Sequence, residues 1–356
     1  MVGEKTLPEM KVGIVTFSAA RNYGAALQCR CLLEVLTDLG LDARVVDYRP
    51  GYLTEPYKIL KPYYLKKPSI LVWLPWRYWG ALRRDRAFAR FIPASRTVSL
   101  GDGSLDVAVF GSDQIWNPRI CKGLDPVFFA AHPAFASTYN IAYAASDGSV
   151  SLSLDEEVEY KRYVAGFRRI GVREKTLKDR LEAWGFSSEV TLDPVLLAGR
   201  PVLDRIVPSE YKAASGDFIL TYEAVDNKRV REIAAGLAPG RVISIAREPY
   251  SYGRNCYGPL DFVALIRDAA KVVTTSFHGV AVALLYHKDF YYINTGTKAD
   301  DRIRNLLWSI GLESRMLDPG APLHVESPNY DAVDSALAAL RENSMNYLKE
   351  ALQCQK

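Results

Sequence analysis

Residues 271–288 read KVVTTSFHGVAVALLYHK. A β-branched run at 272–275 gives way to Ser276-Phe277-His278-Gly279, and an apolar stretch follows over 280–286. Such a run, bounded by a turn, reads as a buried parallel strand feeding a helix. His278 then stands at a helix N-terminus, whose unpaired N–H groups and positive dipole end attract anions. The chain has only four histidines, so one at an anion-attracting position stands out. The competing reading is a core histidine in an ordinary strand–helix turn, because one short motif is a hypothesis and no more.

The same alternation extends outward in both directions. Strands are expected at 11–17, 43–48, 106–110 and 140–145, with helices at 25–39 and 154–164. A second series has strands at 169–173, 190–192, 217–222, 241–246 and 289–293, with helices at 176–184, 227–237, 260–270 and 300–310. A long helix is expected at 330–351. This pattern predicts an α/β protein with two parallel sheets. The boundary falls near 150–170, giving a first domain over 1–165, a second over 166–330 and a final helical segment over 331–356. Ligands of such sheets bind beyond the carboxyl ends of the strands, so both domains are expected to face one cleft.

Composition narrows the class. A 356-residue chain with 49% hydrophobic and 24% charged residues describes a globular protein large enough for two cores. No basic-then-apolar leader opens it, and no run approaches the roughly 18 apolar residues a membrane span needs. Cys29, Cys31, Cys121, Cys256 and Cys354 are scattered without metal-type spacing, which points to reduced thiols and a cytoplasmic location. No metal site is expected: Asp-x-Asp, His-Glu-x-x-His and cysteine clusters are all missing. The dinucleotide and P-loop glycine patterns are missing too, which weakens NAD and ATP readings.

Charge is unevenly placed. Between 57 and 91, nine lysines and arginines, among them Lys66, Lys67, Arg83 and Arg84, face Asp85 alone, although the chain's net charge is only +4. Trp73, Trp76 and Trp79 are interleaved with them. That mixture suits an anionic membrane surface, or else a helical hairpin packing its aromatics on its own domain. No nucleic-acid motif accompanies it, and nucleic acid is not an expected partner.

Two loops hold more polar and glycine content than a connection needs. In 18–28, Asn22, Tyr23, Gly24 and Gln28 offer hydrogen-bonding groups and a close backbone approach suited to sugar hydroxyls, though Asn22 is equally a helix cap. In 111–118, Ser112, Asp113, Gln114, Trp116 and Asn117 combine a carboxylate, amides and a ring that can stack on a sugar. A hydrogen-bonded structural turn is the alternative.

These loops, together with Tyr143-Ala144-Ala145-Ser146, Val172-Arg173-Glu174-Lys175, Leu192-Asp193-Pro194 and Ser276-Phe277-His278-Gly279, resemble the polysaccharide pyruvyl transferase family, in the same order from about 11 to 315. The resemblance implies a glycosyltransferase-B-like fold: two Rossmann-like domains across a cleft, the last helix returning to the first domain. It also implies transfer of a pyruvyl group from phosphoenolpyruvate to a sugar, usually as a cyclic ketal, with no cofactor. By analogy the donor lies against the second domain, held by His278 and Arg173 with Ser276, Phe277 and Gly279 around it. The acceptor sugar lies against the first, with Asp113 orienting or deprotonating its hydroxyl. Glu174 and Asp193 read as structural.

One departure stands out. Many members carry arginine two positions before the histidine, where this chain has Ser276; Arg247, Arg254 and Arg302 are candidates to replace it. A lipid-linked acceptor, such as a polyprenyl-diphosphate sugar met at the inner face of the cytoplasmic membrane, would explain the basic aromatic segment. A nucleotide-sugar glycosyltransferase and a non-catalytic glycan-binding assembly protein are the competing functions.

Overall fold

The computed structural model describes residues 10–57, 68–225, 227–237, 241–246, 256–298, 300–318, 320–321, 323 and 326–353, without the side chains of 68–77 and 246. The first part of the chain runs β1 (Lys11–Val15), α1 (Tyr23–Asp38), β2 (Asp42–Asp47), α2 (Gly51–Thr54), α3 (Pro68–Phe91), β3 (Thr97–Ser99), β4 (Val107–Phe110) and α4 (Pro118–Cys121). It continues through β5 (Tyr139–Ala145), α5 (Leu154–Val164), β6 (Arg169–Val172), α6 (Lys175–Ala183), β7 (Glu189–Val190) and α7 (Pro194–Ile206). The second part runs β8 (Ile219–Glu223), α8 (Lys228–Leu237), β9 (Val242–Ala246), α9 (Pro259–Asp268), β10 (Lys271–Thr274) and α10 (Phe277–Leu285). It ends with β11 (Asp289–Ile293), α11 (Asp300–Ser309), β12 (Met316–Leu317) and α12 (Tyr330–Gln353).

Two sheets result, a seven-stranded one ordered β3-β2-β1-β4-β5-β6-β7 and a five-stranded one ordered β12-β11-β10-β8-β9. Every described pairing is parallel. The α/β architecture with two parallel sheets is therefore as expected. Each sheet reverses its strand order once, between β1 and β4 in the first and between β10 and β8 in the second. Doubly wound sheets bind ligands at such reversals.

The strands at 169–173 and 190–192, expected to begin the second series, belong instead to the first sheet. Arg169 pairs with Ile141 on β5, and Gly171 with Glu189 on β7. A strand needs a free edge to pair with, and β5 supplies it once α5 has crossed over the sheet. The chain passes to the second sheet through α7, a helix that sequence periodicity hides. Gly199 at φ +70° kinks it and Pro201 lies inside it.

Helices α1 and α7 join the core beneath the second sheet. Tyr23, Ala26, Leu27 and Cys31 of α1 pack with Val195 and Leu203 of α7, Phe262 of α9 and the apolar run Val280–Leu285 of α10. Helix α10 is buried around its whole circumference, as a helix apolar on all sides must be. Helix α12 returns to the first sheet: Tyr347 donates to the carbonyl of Ala142 at 2.8 Å, and Leu348 and Leu352 are buried with Val12 and Ile14. No helix among the described residues is long and apolar enough to cross a membrane.

Candidate active site

At the end of β10 the helix begins one turn earlier than the apolar pattern predicts, at Phe277, so His278 lies within the first turn of α10. Ser276 caps it, its hydroxyl accepting from the N–H of Gly279 at 3.3 Å. That corrects the expectation of Gly279 as a free donor to a ligand; its N–H is already used. The imidazole of His278 is 7% exposed and lies against Gly24, where a Cβ would sit 2.1 Å from Nδ1. Gly24 thus makes room for this ring and not for a sugar.

Asp193 links His278 to Arg173. It caps α7, with Oδ1 accepting from Val195 N at 2.9 Å. Its Oδ2 lies 2.7 Å from Arg173 Nη2 and 3.3 Å from His278 Nε2. The imidazole contact is within ion-pair range but not aligned as a hydrogen bond, and Nε2 has no hydrogen-bond partner among the described residues. Burial on its own pushes the Asp193 carboxyl up; Arg173 and His278 outweigh it and hold the group well below the usual carboxylate range.

Arg173, at the end of β6, also donates to the hydroxyl of Ser112, and its Nε and Nη1 have no partner among the described residues. Its guanidinium lies 5.2 Å from the centroid of the Phe277 ring. Arg302, reaching in from α11, lies 5.9 Å from the same centroid, and its Nε is also without a hydrogen bond. Burial, followed by repulsion from Arg173, lowers the pKa of Arg302. Glu174, fully buried, accepts from the Ser146 hydroxyl on Oε1 and lies 3.7 Å from Arg302 Nε. Its Oε2 has no partner among the described residues, and burial raises its carboxyl to about 7 despite Arg302 and Arg173.

The cluster therefore gathers the ends of β4, β5, β6 and β10 with residues of α7 and α11, at the strand reversals of both sheets. Ring and guanidinium N–H groups without acceptors surround Phe277, a demand that an anion meets. Asp113 lies beside it, half-buried at φ +76°, with Oδ1 accepting from Gln114 N at 2.9 Å. Arg302 feels its charge.

Several expected acceptor groups are committed elsewhere. Trp116 is fully buried, donates to the Phe128 carbonyl at 2.9 Å and stacks on Phe129, so it cannot meet a sugar. Asn117 caps α4 and donates to Gln114 Oε1 at 2.8 Å. Gln28 is buried, donating to Thr16 Oγ1 at 2.8 Å and accepting from Ser112 N at 3.1 Å; it braces the loop that carries Ser112. Tyr23 is 2% exposed, stacked on Phe262 between the two sheets. Asn22 is exposed and caps α1.

Arg84 is not a surface cation either. It is 6% exposed, lies 5.1 Å from the Tyr23 ring and donates to the Arg21 carbonyl. Trp79 and Arg83 are exposed. Lys66, Lys67, Arg247 and Arg254 lie outside the described residues, as do the side chains of Trp73 and Trp76. Of the three arginines considered as replacements at position 276, Arg302 is the one found in the cluster. Glu174 and Asp193, read as structural, are in it as well. Both lie in the short loops that follow strands of the first sheet, Glu174 after β6 and Asp193 after β7, the signal that could have found them.

A family model for polysaccharide pyruvyl transferases matches residues 22–297. No curated protein matches the chain. Among solved structures, UDP-N-acetylglucosamine 2-epimerase from Rickettsia bellii aligns at 11% identity over 96% of this chain and 96% of that one, with a TM-score of 0.49. UDP-GlcNAc 2-epimerase from Methanocaldococcus jannaschii aligns at 11% identity over 96% and 99%, TM-score 0.46. The glycosyltransferase SnogD from Streptomyces nogalater aligns at 14% over 97% and 98%, TM-score 0.39. These likenesses are too distant to bear on what the chain binds. The matched span, from the cap of α1 through every strand end that builds the cluster to the loop after β11, makes this chain a member of the polysaccharide pyruvyl transferase family.

Proposed function

We propose that the protein transfers the pyruvyl group of phosphoenolpyruvate to two hydroxyls of a sugar in a surface polysaccharide unit, forming a cyclic ketal and releasing phosphate. The observation that carries this reading is the set of buried nitrogens on Arg173, Arg302 and His278 around Phe277 that have no hydrogen-bond partner among the described residues. A small polyanion matches them. Guanidinium groups take carboxylate and phosphate in a forked geometry, and Arg302 offers the cation that Ser276 lacks. Phe277 supplies an apolar floor for the enol carbon atoms between those cations. Asp113, at the edge of the cluster, would orient the acceptor hydroxyl.

The exposed Trp79 and Arg83 support a further part of the reading, that the acceptor is lipid-linked and met at an anionic membrane face. Incubation of the purified protein with phosphoenolpyruvate and a panel of p-nitrophenyl hexosides tests the activity. Phosphate release coupled to a pyruvyl ketal on the sugar is expected. Turnover that depends on a nucleotide sugar instead would replace this reading with a glycosyltransferase.

A further inference from the structure

Glu174 is a fully buried carboxyl of the cluster with one oxygen left unused among the described residues. Its side chain is fully buried and Oε1 is occupied by Ser146, but Oε2 has neither solvent nor a hydrogen-bond partner among the described residues. A buried acceptor left empty costs about 1–3 kcal/mol, more when charged, whereas a protonated Oε2 is a donor in want of a recipient. The other acidic groups nearby are differently placed. Both oxygens of Asp193 are taken, by Val195 N and by Arg173. Asp113 is half-buried and accepts from the Gln114 N–H.

We propose that Glu174 delivers the proton that the donor's methylene carbon takes up, and recovers one from the attacking sugar hydroxyl. This rests on the pyruvyl-transfer reading above. In the first step the Glu174 O–H bond breaks and a C–H bond forms at the methylene, turning it into a methyl group. The adjacent carbon becomes a cation stabilised by its phosphate-bearing oxygen. A sugar hydroxyl bonds to that carbon and its proton returns to Glu174. The second hydroxyl then replaces phosphate, and its proton leaves with the phosphate. No oxidant or reductant is needed.

The surroundings suit the role. Arg302 from α11 and Arg173 just after β6 face Glu174 as cations, Asp147 from the loop after β5 opposes them, and Ser146 holds Oε1. Burial outweighs the cations and brings the group to about 7, where it can both give and regain a proton near neutrality.

The test starts with wild-type protein, phosphoenolpyruvate and the p-nitrophenyl hexosides in D2O. One deuterium in the ketal methyl is expected. A wild-type protein that makes no ketal overturns the pyruvyl-transfer reading, and this proposal with it. Given wild-type turnover, Glu174→Gln isolates the proposal. Phosphoenolpyruvate binding by calorimetry should stay within about threefold, while kcat falls at least a hundredfold. The decline of wild-type kcat as pH rises through about 7 should vanish from the residual activity. Glu174→Asp, which keeps an acid, should recover part of the rate and restore that decline, and it serves as well if the Gln variant fails to fold. Turnover within threefold of wild type, loss of donor binding in step with kcat, or an unchanged pH profile would overturn the role.

Discussion

The loop at 111–118 and the turn at Ser276-Phe277-His278-Gly279 are both polar segments beyond the carboxyl end of a buried parallel strand, yet their side chains meet opposite fates. In the first loop Trp116, Asn117 and Gln114 satisfy one another and the backbone, and the indole sits in the core. Around the second, the imidazole and two guanidiniums retain buried nitrogens with no hydrogen-bond partner among the described residues. Both sets are polar and both are largely withdrawn from solvent, Gln114 being half-buried. The difference is hydrogen-bond completion, and it separates a structural turn from a place prepared for a ligand.

The sharpest way to break this contrast is at His278. His278→Ala should lower kcat/KM for phosphoenolpyruvate by roughly a hundredfold or more, the usual worth of one donor aimed at a reacting anion. Its melting temperature should change far less than that loss would suggest, because Asp193 keeps its 2.7 Å ion pair with Arg173 when the ring is removed. A folded variant with wild-type turnover would remove the distinction between the two loops.

Trp116 should behave in reverse. Trp116→Ala deletes a fully buried ring and its bond to the Phe128 carbonyl, costing about 3–5 kcal/mol in denaturant unfolding. Where the variant remains folded, its KM for phosphoenolpyruvate should be unchanged. A selective rise in KM for the sugar without loss of stability would return Trp116 to the acceptor site.

The smallest expected effect concerns the basic segment. Reversing Lys66, Lys67 and Arg83 should weaken binding to phosphatidylserine vesicles, each charge being worth about 1 kcal/mol near such a surface. Arg84→Met should leave vesicle binding alone and instead lower stability, since that guanidinium is buried against Tyr23 and Phe88. Equal effects on vesicle binding from both changes would erase the difference between those cations and the buried Arg84.

Some of this molecule could be read without coordinates. Parallel strands buried on both faces announce themselves as β-branched apolar runs, and β1, β4, β5, β10 and β11 all lie within or close to the stretches expected for them. His278 is legible because it stands where such a run stops, whereas Arg173 is pointed to by the family resemblance. Helix α7 escaped because a left-handed glycine and an internal proline break the period that reveals helices. The short β3 and β12 were too brief to leave a pattern.

Local order along the chain was enough to specify strands, helices and their alternation, because backbone preference and periodic burial act over a few neighbouring residues. Sheet membership and side-chain pairing were not accessible in this way. That β6 joins β5, that Asp193 spans Arg173 and His278, and that Arg302 reaches Glu174 from α11 are contacts between segments far apart in the chain. Their energies depend on desolvation and on which charges face each other once the two sheets close, and neither quantity exists until the chain is folded.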